Sequence, residues 1–165
     1  MISNTYNWKR ATEIILIIVL GIIIDQCTKI YVSNLMFINN FSSLKLLPFL
    51  DIVFVRNTGI SFGMFSEGGL VGRYFFSAFS ITVGIFLIIL SILTEKKLVC
   101  LGLCLISSGA IGNAIDRIYF GGVIDFIDIF VYNFHWPAFN FADIFITIGV
   151  IILLFENIFY SYYAR

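Results

Sequence analysis

Charge is scarce in this chain. Only 12% of its 165 residues are Asp, Glu, Lys or Arg, roughly half the share of a soluble domain, and ten basic residues cancel ten acidic ones. Nothing in that balance suggests a nucleic-acid partner, which would call for a basic surface. Histidine occurs once, as His135, and the cysteines are Cys27, Cys100 and Cys104. A zinc site draws three or four ligands from Cys, His and carboxylates at set spacings. Neither H-E-x-x-H nor C-x-x-C occurs, so no metal and no other cofactor is expected. Cys100 and Cys104 fall on one helix face and read as small packing residues. His135 stands beside Trp136-Pro137 with no serine motif near it and reads as a structural histidine at an interface. Nucleophilic catalysis by serine or cysteine lacks its usual parts.

What the chain has instead is apolar length. It is 60% hydrophobic with a mean hydropathy of +1.01. A helix needs about 20 apolar residues to cross a bilayer, and four segments of one single domain, 1–165, come close or suffice: 11–32, 74–94, 98–117 and 140–162. The fourth is the least distinct, because Ile144–Phe155 is short and reaches spanning length only with polar flanks. Tyr6, Trp8, Tyr31, Tyr74, Tyr119, Trp136, Tyr160, Tyr162 and Tyr163 lie near segment ends, as interfacial belts do. The apolar run Ile14–Ile24 leads into Asp25-Gln26-Cys27-Thr28-Lys29 rather than a small-x-small cleavage site, so a retained helix is expected. The fold class is an all-α membrane protein of four transmembrane helices. Between the first two, Leu50–Val55 is a β-branched and aromatic run ending at Arg56-Asn57-Thr58-Gly59, which predicts a small extracytoplasmic β element. The second outer connection, Tyr119–Ala138, reads as glycine-led and aromatic.

Orientation follows from the short connections. Lys96 and Lys97 occupy the tight turn between the second and third spans, and Lys9, Arg10 and Arg165 flank the termini. Lys29, Lys45, Arg56, Arg73 and Arg117 fall on the other side, so the count itself is even. Three of those five sit within polar motifs and are set aside as site residues. Both termini and the Lys96–Lys97 turn are then cytoplasmic, and Ser33–Arg73 is external.

The remaining chemistry is carboxylate chemistry, in costly places. A charge at bilayer depth costs at least ~2.5–3.5 kcal/mol and marks function by default. Asp25 and Lys29 stand at i, i+4 and can neutralise each other; a structural ion pair is the plain explanation. Helix three ends in Ser108-Gly109-Ala110-Ile111-Gly112-Asn113-Ala114-Ile115-Asp116-Arg117. Ser108, Gly112 and Asp116 form one stripe, and Gly109, Asn113 and Arg117 an adjacent one. A packing seam explains the glycines, but not Asn113 and Asp116 arriving with them. Asp125 and Asp143 have no basic neighbour in sequence and large apolar flanks, which raise a carboxyl pKa by desolvation. Two carboxyls in one site divide a proton, one serving as acid and the other as base. Asp128 competes with them, though a polar residue facing a loop is its ordinary explanation.

These residues carry a resemblance. Asp25-Gln26-x-Thr28-Lys29, Asn57-x-Gly59-x-x-Phe62, Gly109-Ala110-x-Gly112-Asn113-x-x-Asp116-Arg117, Val123-x-Asp125-Phe126 and Phe139-Asn140-x-Ala142-Asp143 occur in order. Together they resemble the lipoprotein signal peptidase (signal peptidase II) family of bacteria. The resemblance implies a multi-pass protein of the bacterial cytoplasmic membrane with an active site near the extracytoplasmic side. It implies cleavage of the signal peptide from prolipoproteins before a diacylglyceryl-modified cysteine. Asp125 and Asp143 fall on the catalytic pair, and Asp25, Lys29, Asn57, Gly59, Asn113, Asp116, Arg117 and Asn140 on supporting positions. Ser108 departs from a usual glycine, and Ile144 from a common small polar residue. The expected partners are lipidated prolipoproteins and membrane lipids, with the chain acting as a monomer. The alternative from another class is a small proton-coupled transporter, since intramembrane carboxylates also relay protons.

Overall fold

The structure is a computed structural model describing residues 4–40, 42–58 and 69–163. The phenylalanine expected in the turn motif, Phe62, and Gly59 lie outside the described residues, as does Arg165. The chain runs α1 (Asn4–Ile38), β1 (Ser43–Leu47), β2 (Leu50–Asn57), α2 (Gly69–Leu93), α3 (Lys97–Phe120), β3 (Val123–Val131), β4 (Phe134–His135) and α4 (Phe141–Tyr163). Each of the four helices is long and apolar enough to cross a membrane. Isoleucine, leucine and phenylalanine on α1, α2 and α4 point outward in numbers no soluble fold would tolerate: Ile15, Leu16, Phe75, Phe79, Ile151 and Leu154 are all more than half exposed. Trp8, Tyr31, Tyr74, Tyr119 and Trp136 are exposed as well; the side chains of Tyr6, Tyr160, Tyr162 and Tyr163 lie outside the described set.

Helix α3 is the hub, packing on each of the other three helices. Its small residues make that possible. A Cβ added to Gly109 would run into the Ala142 carbonyl and stand 2.7 Å from Ile146 Cγ1, so α4 approaches there to backbone contact. One added to Gly112 would stand 2.6 Å from the Asp25 carboxylate. The two stripes of α3 thus face different partners, Ser108, Gly112 and Asp116 toward α1, and Gly109 and Asn113 toward α4. Ser108 fits where a glycine is usual because α1 offers Gly21 opposite it, with the space for a Cβ at Gly21 already filled by the serine side chain. Cys104 is buried with Ile14 and Ile18, and Cys100 packs against them.

Gly109→Ala is a direct test of the seam. Alanine normally gains up to ~1 kcal/mol over glycine in a helix interior. Here overpacking against α4 backbone reverses the sign, at about 1–3 kcal/mol. The expected result is a lower melting temperature in detergent.

At one end of the bundle Arg10 donates to the Ser91 carbonyl at 3.2 Å and Lys96 pairs with Glu156 at 2.9 Å, which gathers the start of α1, the α2–α3 turn and the far part of α4. The opposite end carries the sheet. It has four antiparallel strands in the order β1-β2-β3-β4, of which only β2 was foreseen as a strand. The connection that looked like an aromatic loop holds β3. Gly121 opens it in the left-handed region (φ 77°), its N–H bonding back to the Arg117 carbonyl as a helix C-cap. Gly122 then passes so close to Asn57 that any side chain would press on the β2 backbone. This lays Val123 beside Asn57 and Asp125 beside Val55.

Candidate active site

Strand β3 separates Asp125 from Asp128. Residues three apart on a strand point to opposite faces. Asp125 is buried and lines a cavity of about 980 Å³. Asp128 turns the other way, to His135, whose Nδ1 lies 2.8 Å from its Oδ2 while the ring stacks on Phe130. Asp128 is therefore a strand residue in a hairpin contact and not a loop residue. His135 keeps the structural part expected of it.

The second carboxylate comes from the start of α4. Asn140 caps this helix: its Oδ1 accepts the Asp143 N–H at 3.0 Å, and Asp143 Oδ2 accepts the Asn140 N–H at 3.2 Å. This is a reciprocal capping box, and it aims the Asp143 carboxylate back over the helix N-terminus. The same Asn140 donates from Nδ2 to Asp125 Oδ1 at 2.7 Å. Asn57, at the end of β2, donates to Asp125 Oδ2 at 3.2 Å. Asn113 donates to Asp143 Oδ1 at 2.9 Å. Four elements thus deliver two carboxylates and two amides to one cavity, which Asp125, Asp143, Asn57, Asn113 and Arg117 all line, with a third amide, Asn140, buried behind the carboxylates. Burial, with the neighbouring Asp143 charge adding to it, pushes the Asp125 carboxyl up to about 7. Arg117 stands within electrostatic reach of Asp143, Asp125 and Asp116, and donates at 3.4 Å to the Asn113 carbonyl.

Beneath the cavity lies a buried ion cluster larger than the i, i+4 pair read from sequence. Lys29 Nζ is 2.8 Å from Asp25 Oδ2 and 2.8 Å from Asp116 Oδ2, and all three side chains are at most 1% exposed. One ammonium serves two carboxylates. The remaining oxygens are satisfied. Asp25 Oδ1 accepts the Ala142 N–H at 2.9 Å, Asp116 Oδ2 accepts the Ile124 N–H at 3.1 Å, and Gln26 donates to Asp116 Oδ1 at 2.9 Å. The cluster therefore pins the first turn of α4 and the start of β3 onto α1 and α3. Lys29 also donates to Asn113 Oδ1 at 3.0 Å, which turns the Asn113 amide so that its nitrogen faces Asp143.

Asp125, Asp143, Asn57, Asn113 and Arg117 line this cavity, and Asp25, Lys29 and Asp116 form the cluster under it. Asn140 bonds to both Asp125 and Asp143 from behind, and Gly59 is outside the described residues. Gln26 was quoted in a motif but given no role. Val55, Val123, Trp136, Phe139, Ile144 and Ile148 supply apolar wall. Among the described residues, no group of three or more His, Cys, Asp and Glu is placed to hold a metal ion.

Comparison with known proteins gives the family. Residues 17–159 match the family model described as signal peptidase (SPase) II. The lipoprotein signal peptidase of Thermodesulfovibrio yellowstonii is 41% identical over 151 residues, covering 92% of this chain and 95% of that protein. That of Pelagibacter ubique is 37% identical over 160 residues, covering 96% and 95%. A solved bacterial membrane enzyme structure at 2.3 Å resolution superposes with a TM-score of 0.77 at 30% identity, covering 93% of this chain and 92% of that one. With its four apolar helices, its sheet at one end and a match across most of its length, the chain belongs to the signal peptidase II family.

Proposed function

We propose that this protein removes signal peptides from prolipoproteins, before a diacylglyceryl-modified cysteine, by water activated between Asp125 and Asp143. The observation that carries the reading is the shared cavity. Two carboxyls from different elements line it, and one asparagine, Asn140, bonds to both. Asp125, held near 7 by burial and by its neighbour, is assigned the shared proton and the role of acid. Asp143 takes the proton from water as the hydroxyl adds to the scissile carbonyl. Asp125 protonates the departing amine nitrogen, so no acyl-enzyme forms. Arg117 borders the cavity and is assigned to the developing oxyanion, where a fixed positive charge lowers the barrier. Asn57, Asn113 and Asn140 keep the two carboxyls in register.

The substrate's lipid anchor gives the site its setting. A diacylglyceryl chain stays in the bilayer, and the cavity wall continues down α4 through Ile144, Thr147 and Ile148. Family membership and the gathering of polar groups at one end of the bundle favour a peptidase over a proton-coupled transporter. The test is cleavage by purified protein in lipid. A lipidated prolipoprotein is expected to be cut, its unlipidated form not, and a chelator is expected to leave the rate unchanged. Equal cleavage of both forms would remove the lipid from the specificity.

Topology is part of the same reading. The start of α1, the far part of α4 and the 94–96 turn share the end opposite the sheet, and the basic residues Lys9, Arg10, Lys96 and Lys97 assign that end to the cytoplasm. Single cysteines placed in the α2–α3 turn are expected to resist a membrane-impermeant thiol reagent in intact cells, and cysteines in β1 to react. The reverse labelling would invert the protein.

A further inference from the structure

A second cavity of about 400 Å³ lies on the far side of β2 from the catalytic pair, among Ile30, Ser33 and Asn34 of α1, Phe54 and Arg56 of β2, Phe120 at the end of α3, and Ile124 of β3. Its volume falls within the ~300–1,000 Å³ of small-molecule sites. Its lining is divided. Ile124 forms a buried floor, and Ile30, Phe54 and Phe120 are about half exposed around it. At the rim stand Asn34 and Arg56, both exposed. The Arg56 stem lies over Gly122, where a Cβ would come within 3.0 Å of its Cγ. Its guanidinium has neither an ion pair nor a hydrogen bond among the described residues. Every other arginine of α1 to α3 engages a backbone carbonyl: Arg10 that of Ser91, Arg73 those of Arg117 and Ile118, Arg117 that of Asn113.

The cavity's place in the fold points to a kind of anion. It opens beside the sheet-side ends of two helices apolar enough to cross a membrane, where hydrocarbon would give way to headgroups. A cation there, next to an apolar trough, meets phosphate above and acyl chain below. The guanidinium fork matches phosphate oxygens in a bidentate manner, and basic pockets between membrane helices are known to take lipid headgroups. We propose that this cavity holds one phospholipid of the bilayer, its phosphate on Arg56 and an acyl chain along Ile30, Phe54 and Phe120. Because Arg56 also lines the catalytic cavity, the bound lipid forms part of the partition between the two. The inference stands on this cavity and does not depend on the catalytic assignment.

Native mass spectrometry of the detergent-purified chain tests it, with phosphatidylglycerol, a phosphate-free diacylglycerol and inorganic phosphate as separate probes. Wild type is expected to retain one phosphatidylglycerol. Arg56→Lys keeps it, Arg56→Gln binds at least tenfold more weakly, and Ile30→Trp, which fills the trough, loses the copy. Melting curves establish that the variants are folded, and Arg56, exposed and without a polar partner among the described residues, is expected to be replaced at little cost in that respect. Undiminished binding to both the Arg56→Gln and Ile30→Trp proteins overturns the proposal. So does equal binding of diacylglycerol, which would make the site one for the substrate's lipid, or displacement by inorganic phosphate alone, which would make it a simple anion site.

Discussion

Asp125→Asn and Asp143→Asn are each expected to reduce cleavage of a lipidated substrate to near background. A general acid or base contributes about 10²–10⁴-fold, and asparagine cannot take either part. The geometry also predicts how folding responds. Asp143 accepts from both Asn113 and the Asn140 N–H, so an amide there turns one donor onto another and weakens the capping box. The cost is about 1 kcal/mol, visible as a small fall in melting temperature and far too small to abolish folding. The pH profile supplies an independent reading. Asp125 must be protonated to act as the acid, and burial beside Asp143 places its carboxyl at about 7. The rate should therefore fall as pH rises through that value, as the alkaline limb of a bell set by the coupled pair. Asp128→Asn, lost only to its contact with His135, keeps most activity. Cleavage by a folded Asp125 or Asp143 variant would end the assignment, and an inactive Asp128 variant would mean that the wrong carboxylate had been chosen.

The second large effect is expected at Lys29. Lys29→Met leaves Asp25 and Asp116 buried together without their cation, and breaking a buried ion cluster in this way costs about 3–5 kcal/mol. The chain should melt much earlier or accumulate poorly in the membrane. Neutralising the whole cluster, with Asp25→Asn, Lys29→Met and Asp116→Asn combined, removes the uncompensated charge and should recover a good part of that loss. Activity should not recover in step, because the Lys29 hydrogen bond that orients Asn113 toward Asp143 is still missing. Melting temperature and cleavage rate, measured on both variants, separate the two roles. Recovery of both together would make Lys29 a structural residue only.

The spans were legible because a bilayer imposes length and apolarity on the sequence directly. The candidate carboxylates stood out for the converse reason: Asp125 and Asp143 stand among large apolar residues, where a charge is costly. What could not be read was whatever depends on pairing across distance. Lys29 was matched to Asp25, four residues away, whereas its other carboxylate, Asp116, is brought to it by the packing of α3 on α1. Strand β3 was hidden because two aspartates interrupt its β-branched and aromatic run and two glycines precede it, which together imitate a loop. Had the run Val123–Val131 been taken as a strand, the three-residue spacing alone would have sent Asp125 and Asp128 to opposite faces. The Asn140-x-x-Asp143 capping box was present in the sequence too, but that aspartate, though placed at the start of the fourth span, was read for its chemistry and not for its bond back to Asn140.

That double use of Asn140 and Asp143 bears on when the enzyme becomes dangerous. One proposed catalytic carboxylate rides on the sheet and the other on α4, which follows the other three helices in the chain, and the bonds that bring them together are also the bonds that begin that helix and seat it against α3. A nascent chain that has inserted three helices but not yet docked the fourth has a sheet with one acid and no partner for it. On the proposed pair, cleavage then waits for α4 to dock, and copies in which it has not docked are expected to be inert.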